Sequence, residues 1–256
     1  GILYPKYDKQ EQVVSYILAD LKLAEENFAK GKDFGGDIMF GGDVTKWRKL
    51  CNAMQLKVIQ TFGKKATSAQ KARFAEIVAA NHLMESNGDI FSLKYTENPN
   101  SNHPFYNGED RRKLTGLSKL TVDALKKFND RRLFYFAEPA DALITSGKTE
   151  SEFDAYAGAP TELKAEVLAM NKDAGNYSLI NKRYVSQKAG DPMLIFSYAE
   201  QCFILAEAAE EGWITGSAKD YYEKGVKASL SYYKDLPSAS SGFHGMPITQ
   251  AYIDAY

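Results

Sequence analysis

Apolar residues recur every three or four positions through residues 1–87, which is the spacing of α-helices that bury one face. This spacing predicts three amphipathic helices. Their apolar stripes are Val13, Val14, Ile17, Leu18, Leu21, Ala24 and Phe28; Trp47, Leu50, Cys51, Met54, Val58 and Phe62; and Phe74, Ile77, Val78 and Leu83. The first third of the chain is therefore predicted to be helical.

Polar and glycine-containing motifs predict where these helices begin and end. The predicted N-terminal caps are Asp8 with Glu11 as a capping box, Asp43, and Thr67 or Ser68. The predicted ends are Gly31, Gly63, and Asn87 with Gly88. A glycine-rich link, GKDFGGDIMFGGD, joins the first helix to the second.

The spacing of apolar residues in 193–235 predicts a second helical region, which is a hairpin of two helices. The first helix is expected to bury Ile195, Tyr198, Cys202, Leu205 and Ala209, and the second Ala218, Tyr222, Val226, Ser229 and Tyr233. Small residues let the two backbones approach closely, as in tetratricopeptide-type hairpins; they are Ala206, Ala208, Ala218, Gly225 and Ala228. Trp213 and Ile214 are expected to plug the groove at the turn, Trp213 as a structural residue and not a ligand platform.

The middle of the chain, residues 88–192, is predicted to be rich in loops. An irregular segment of more than 20 residues contains Pro99 and Pro104, and loops of that length are functional or disordered in most domains. Short helices are predicted at 118–128 and 161–170, with extended pieces at NDRRLFYFAEP and YSLINKRYV.

The predicted fold class is therefore mainly α, with tetratricopeptide-like helical hairpins, long irregular loops and little sheet. We expect a single domain over residues 1–256: helical at 1–87, loop-rich at 88–192, a helical hairpin at 193–235, and a tail at 236–256. The chain begins with Gly1 and stops within the pattern ITQAYIDAY, where a helix begins. We therefore expect a fragment of a longer protein.

Composition and charge remove several functional classes. The net charge of -1 gives no basic excess for phosphates, so no nucleic-acid partner is predicted. No apolar run approaches the roughly 20 residues that span a bilayer, and the first five residues do not resemble a signal peptide. Cys51 and Cys202 lie within apolar stripes and are predicted to be buried thiols.

No motif predicts catalysis, a metal or a cofactor. His82, His103 and His244 lack zinc-site spacing, and no phosphate-binding glycine motif or GxSxG occurs. Carboxylates are plentiful, but nothing in the sequence selects a pair for acid–base work. We therefore predict that the chain is not an enzyme and has no cofactor.

Four ordered motifs resemble the SusD/RagB family of outer-membrane nutrient-binding lipoproteins of Bacteroidetes. They are GDVTKWRKLCNAMQLKV, NDRRLFYFAEP, YAGAP and DPMLIFSYAEQCFILAEAAEEGWITGSAKDYYEKGVKASLSYY. The last motif is the most specific. Where the family often has Asp-Pro-Arg, this chain has Asp130-Arg131-Arg132, a departure expected to affect one turn.

The resemblance implies a SusD-like α/α superhelix whose loops carry the ligand site. It also implies a function: capture of oligosaccharide or another nutrient at the outer membrane's extracellular face, and delivery to a TonB-dependent SusC-like transporter. A lipid anchor absent from this chain would provide the membrane attachment. Two alternatives remain open, a helical-repeat scaffold that binds only protein and, as the less favoured one, an α-helical enzyme acting on glycans.

Sugar binding needs aromatic faces that stack on C–H patches, with polar side chains beside them. The loop NHPFYNG offers this combination in His103, Phe105, Tyr106 and Asn107, and Pro104 stiffens its backbone. A second candidate is Tyr156, whose small neighbours would leave its ring accessible. The alternative for both sites is that the rings pack on the core.

Overall fold

The computed structural model describes residues 6–236 and 242–256. Their helices are α1 Gln10–Lys30, α2 Val44–Gln60, α3 Ser68–Ala80, α4 Glu109–Lys113, α5 Lys119–Lys127, α6 Arg132–Phe136, α7 Asp141–Thr145, α8 Ala165–Asp173, α9 Arg183–Ser186, α10 Tyr198–Glu210, α11 Ala218–Lys234 and α12 Gln250–Ala255. Two short strands, β1 Phe91–Leu93 and β2 Met193–Phe196, pair in a two-stranded sheet. The described chain is mainly helical, which confirms the predicted fold class.

The chain divides into two compact units. Unit 1 consists of Gly1–Leu93 and Leu194–Ser229, and unit 2 of Lys94–Met193 and Leu230–Tyr256. Residues 1–5, which were predicted not to be a signal peptide, and residues 237–241 of the predicted tail lie outside the described residues. The single-domain organisation stays a prediction.

Unit 1 is built from α1, α2, α3, α10 and most of α11. Its core consists of buried residues from these helices and from β2, including Leu50, Leu56, Ile59, Phe74, Ile77, Phe196, Cys202 and Leu205. Gly225 of α11 lies against Phe203 of α10, where an added Cβ would come 2.7 Å from the Phe203 ring. This close approach confirms that a small residue lets the hairpin helices pack together.

Trp213 occupies the hairpin turn and is half-buried. Its ring packs edge-on against Phe74 at 5.6 Å, and its backbone N–H donates to the Ala208 carbonyl at 2.8 Å. The predicted structural role of Trp213 is confirmed. Cys51 and Cys202 are both buried, free thiols, as predicted.

Most helix starts are as predicted, but several bounds are not. Asp43 and Ser118 each accept a backbone N–H from the first turn of their helices, and Thr67 forms a capping box with Gln70. The Asp8–Glu11 capping box is wrong, because α1 begins after Lys9 without a side-chain cap. The third helix ends early, at Asn81, whose left-handed backbone (φ 56°) stops the hydrogen-bond ladder.

Three of the predicted apolar stripes contain exposed members. Val13 and Ile17 of α1 are each 41% exposed, and Tyr222 of α11 is 57% exposed. Ile195 was predicted to lie in the buried face of a helix but belongs to strand β2 and is 45% exposed. Ser197 caps the helix two residues later and so fixes its start.

Unit 2 contains short elements joined by loops, as predicted for 88–192, but two extended pieces are partly wrong. NDRRLFYFAEP forms α6, because the Asp130 carboxylate accepts the Arg132 backbone N–H at 3.0 Å and turns the chain. YSLINKRYV is extended only through isolated pairings of Leu179 and Ile180, and then forms α9. The helix predicted at 161–170 is α8, shifted to begin at Ala165.

The core of unit 2 surrounds α5 and α6. Its buried members are Val122, Leu133, Phe134, Ala137, Ala155 and Tyr156. The segment that contains Tyr156 joins this core through a parallel pairing of Ser118 with Ala159 and a hydrogen bond from the Ser178 N–H to the Ala157 carbonyl. These pairings attach the YAGAP motif to the start of α5 and to the segment before α9.

Candidate functional site

The loop 103–108 is a compact turn. The Tyr106 N–H donates to the His103 carbonyl at 2.9 Å, and the Gly108 N–H donates to the Phe105 carbonyl at 2.8 Å. Asn107 has a left-handed backbone (φ 56°), a conformation that asparagine tolerates better than most residues. These internal hydrogen bonds give the turn a defined shape.

Two backbone hydrogen bonds attach this turn to the segment 183–191. The His103 N–H donates to the Lys188 carbonyl at 2.6 Å, and the Asn107 N–H donates to the Val185 carbonyl at 3.0 Å. Gly190 packs directly against the imidazole, because a Cβ at this position would lie 2.8 Å from the His103 ring. The segment 183–191 thus fixes both ends of the turn.

A buried arginine holds that segment in place. The Arg183 guanidinium pairs with Asp191 at 2.6 Å, and its Nε donates to the Tyr135 carbonyl at 2.9 Å. It also lies over the Tyr184 ring, 4.4 Å from the centroid. Because the side chain is only 2% exposed, these partners must replace the water that a guanidinium otherwise binds.

Three aromatic rings form a surface group that we call the ring platform: Tyr95, His103 and Phe105. Tyr95 and His103 meet edge-on with centroids 4.8 Å apart, and His103 and Phe105 meet edge-on at 5.6 Å. Phe105 is 38% exposed, and Tyr95 and His103 are half-buried. An exposed ring held by neighbouring rings, such as Phe105, is suited to stacking on an apolar ligand surface.

The structure brings together the four predicted residues of the loop NHPFYNG. His103 and Phe105 belong to the ring platform, Tyr106 is half-buried beside them, and the Asn107 side chain is exposed. Sequence reasoning missed Tyr95, although it lies in the same predicted loop segment. Only its contact with His103, eight residues away, shows that it belongs to the platform.

Tyr156 does not lie at this site, and the prediction of an accessible ring is wrong. The residue is 1% exposed, its ring packs edge-on against Phe134 at 5.1 Å, and its hydroxyl donates to the Glu150 carbonyl at 2.8 Å. Burial also raises the pKa of the Tyr156 hydroxyl well above its usual value. The small neighbours of Tyr156 let the chain pack closely and do not expose the ring.

Burial lowers the pKa of the His103 imidazole, and the nearby Asp191 carboxylate opposes this shift only in part. The fold therefore favours the neutral imidazole. Below about pH 6.5, His103 binds a proton more readily in the unfolded chain than in the folded protein. The free energy of unfolding should therefore fall as the pH is lowered, until the pH reaches the pKa of His103 in the folded protein.

We expect the His103→Gln variant to lose this contribution. Urea unfolding of the parent and the variant at about pH 7.5 and about pH 5 would measure it. The parent should lose more stability over this interval than the variant. Equal losses in the two proteins would contradict the prediction.

The described residues were searched for metal-binding clusters and for membrane-spanning helices. Within 6–236 and 242–256, no cluster of three or more His, Cys, Asp or Glu side chains is arranged to hold a metal ion. In the same part of the chain, no helix is both long and apolar enough to cross a bilayer.

Comparison with known protein families assigns this chain to one of them. Residues 1–255 match the model of the SusD-like family, which is described as starch-binding and associating with the outer membrane. The chain belongs to the SusD-like family. The predicted family resemblance is therefore confirmed. A comparison with curated proteins finds no match.

Solved SusD-like structures have the same fold. A SusD homologue from Bacteroides fragilis is 41% identical, with a TM-score of 0.91, and the match covers 98% of this chain and 54% of that one. A candidate outer-membrane, nutrient-binding protein from Bacteroides vulgatus is 31% identical, with a TM-score of 0.87 and coverage of 99% and 55%. A chitin-binding protein is 29% identical, with a TM-score of 0.75 and coverage of 100% and 54%. This SusD-like chain thus spans about half the length of these relatives.

Proposed function

We propose that this chain is part of a glycan-binding protein at the extracellular face of the outer membrane. In this proposal the protein captures oligosaccharide without cleaving it and delivers it to a TonB-dependent SusC-like transporter. The single observation that carries the proposal is the ring platform, because its three rings contact one another and Phe105 is exposed. The family's description as starch-binding and the chitin-binding relative support the ligand class.

The physical argument concerns how a sugar would meet these rings. A pyranose presents C–H patches on its faces and hydroxyls around its edge, so it needs an apolar surface with polar groups beside it. Phe105 supplies the most exposed ring, and the Asn107 amide lies two residues away. Because the turn is already held by backbone hydrogen bonds, little loop entropy is lost on binding.

We expect Phe105→Ala to weaken oligosaccharide binding while leaving the thermal midpoint near that of the parent. A stacked ring contributes roughly 0.5–1.5 kcal/mol beyond its buried area, so affinity should fall at least about 2- to 12-fold. Calorimetric titration with malto- and chito-oligosaccharides would measure the loss. Phe128→Ala is the matched control, because Phe128 is an exposed phenylalanine of unit 2 outside the platform.

A second variant changes the platform without removing a ring. Gly190→Ala would place a Cβ 2.8 Å from the His103 imidazole and should weaken binding by displacing that ring. Gly63→Ala is its control, since Gly63 has a similar positive φ (49°) but no atom within 4 Å of an added Cβ. If Phe105→Ala and Gly190→Ala both bind sugar as the parent does, the platform is not the site.

The same experiments separate the alternative functions. A protein that binds no sugar but retains protein partners in pull-down assays would be the helical-repeat scaffold. Cleavage of the oligosaccharides, detected chromatographically after long incubation, would identify the enzyme. Co-purification with a large outer-membrane transporter would support the delivery step.

A further inference from the structure

Unit 2 contains a cleft that shares no lining residue with the ring platform. Its volume is about 510 Å³, which lies in the range of small-molecule sites. Its apolar lining consists of Pro139, Ile144, Tyr177 and Leu179, and its charged lining of Arg112, Glu138, Asp141, Lys148, Glu150, Lys172 and Lys182. The cleft thus combines one aromatic ring with hydrogen-bonding groups of both signs.

Most of these charges already have partners within the protein. The ammonium nitrogens of three lysines lie close to carboxylate oxygens: Lys182 is 3.7 Å from Glu138, Lys172 is 2.7 Å from Asp173, and Lys148 is 3.6 Å from Glu152. Arg112 pairs with Glu109 at 2.6 Å, and Glu150 contacts His244 at 3.2 Å. Since four basic and three acidic side chains line the cleft, it favours neither a strongly anionic nor a strongly cationic ligand.

Two lining groups remain available for hydrogen bonding. Within the described part of the chain, neither the Tyr177 hydroxyl nor the Asp141 carboxylate makes a side-chain hydrogen bond. A phenolic hydroxyl can donate and accept, whereas an ionised carboxylate only accepts. A ligand that carries both donors and acceptors, and no net charge, would satisfy the two groups together.

The wall that carries Asp141 has a fixed shape. The Ala142 N–H at the start of α7 donates to the Gly175 carbonyl at 3.0 Å. Gly175 has a positive φ (73°), and a Cβ at this position would lie 3.0 Å from the Asp141 Cβ and 3.3 Å from the Ala142 nitrogen. The turn at Gly175, two residues before Tyr177, is therefore packed directly against the residue that offers its carboxylate.

We propose that this cleft is a second carbohydrate subsite, which takes a neutral sugar unit. The Tyr177 ring would pack on the C–H face of the sugar, and the Tyr177 hydroxyl and Asp141 carboxylate would bind its hydroxyls. Sugar hydroxyls both donate and accept, so they match this pair of groups without adding charge. The ligand class rests on the proposed function, but the location and the recognition residues do not involve the ring platform.

The test uses Tyr177→Phe, which removes the phenolic hydroxyl with almost no change in volume, and Asp141→Ala, which removes the carboxylate. Each should weaken the binding of neutral malto- or chito-oligosaccharides by about 2- to 12-fold, the effect of one hydrogen bond. Each should also weaken the binding that remains in the Phe105→Ala variant. Tyr222→Phe, at an exposed tyrosine of unit 1, is the control and should bind as the parent does.

A steric variant tests the same cleft. Gly175→Ala should weaken the binding that remains in Phe105→Ala, because the added Cβ must displace Asp141. Gly147→Ala, at a positive φ (99°) with no atom within 4 Å, should leave that binding unchanged.

The outcomes distinguish this proposal from the proposed function. If the parent binds sugar through Phe105 and all three cleft variants match it, the second subsite is wrong and the function stands. Binding of an oligogalacturonate but of no neutral oligosaccharide would overturn the assignment to a neutral sugar. A parent that binds none of these sugars would overturn both.

Discussion

Arg183→Met is expected to destabilise the protein by about 3–5 kcal/mol, the cost of breaking a buried ion pair from one side. The substitution keeps much of the side-chain volume but removes the guanidinium that pairs with Asp191, whose side chain is only 13% exposed. It also removes the N–H group that the Tyr135 carbonyl accepts. The loss should be large because the Asp191 carboxylate, which is mostly covered, would regain only part of the water that could replace the guanidinium.

Urea unfolding followed by circular dichroism would measure this effect. Lys119→Met is the matched control in unit 2, because the Lys119–Asp123 pair is more than half exposed and should contribute at most about 1 kcal/mol. Adding Asp191→Asn to Arg183→Met removes the uncompensated charge and should recover part of the loss. A loss below about 1 kcal/mol for Arg183→Met would contradict this account of the pair.

Gly158→Ala is expected to have the second largest effect, about 1–3 kcal/mol or more, because it overpacks a close backbone contact. Gly158 lies in the motif YAGAP, where a Cβ would come 2.4 Å from the Ser118 carbonyl oxygen and 2.5 Å from the Lys119 Cα. These are backbone atoms, so no side-chain rotation can relieve the clash. The Ala159–Lys119 and Ala159–Leu117 hydrogen bonds beside it, both 2.8 Å, should be lost or strained.

Thermal unfolding of Gly158→Ala and Gly116→Ala would check this prediction. Gly116 takes part in a neighbouring backbone pairing, but the nearest atom to its added Cβ is the Ser178 oxygen at an ordinary 3.5 Å. The Gly158 variant should therefore unfold at a clearly lower temperature than the Gly116 variant. Equal thermal midpoints would show that the 118–119 backbone moves aside at little cost.

Arg183 and Gly158, whose substitution should lower the stability most, differ in their structural connection to the proposed ligand site. Arg183 holds the segment to which the turn at 103–107 is attached, so its loss should also weaken sugar binding. Gly158 instead joins the segment after Tyr156 to the start of α5. The YAGAP motif is thus explained by packing, which agrees with the burial of Tyr156.

The sequence predicted the long helices well because their information is local. The stripes of α2 and α10 and the caps at Asp43, Thr67 and Ser118 lie within a few residues of the structure they specify. It predicted the short elements of unit 2 poorly. Helices of four or five residues, such as α6 and α9, contain too few turns to show a period, and side chains such as Asp130 decide their conformation.

For the candidate site, too, the sequence predicted some of the residues and could not predict others. A loop with rings and polar groups can be recognised from composition, which is why His103, Phe105, Tyr106 and Asn107 were predicted to contact a ligand. Tyr95 and Tyr156 could not be sorted by sequence, since both are tyrosines near small or polar residues. Their exposure depends on which distant segments pack on them, the turn at His103 for one and Phe134 for the other.

By itself, then, the sequence determined the helical class, the position of the longer helices and the family, and it predicted one loop as a candidate sugar site. Only the tertiary structure decided which aromatic rings are buried, that Gly190 and Arg183 support the loop, and that Asp141 and Tyr177 line one cleft. The reason is physical. Helical periodicity and capping act over three or four residues, whereas the exposure of a ring and the pairing of a buried charge depend on groups tens of residues apart.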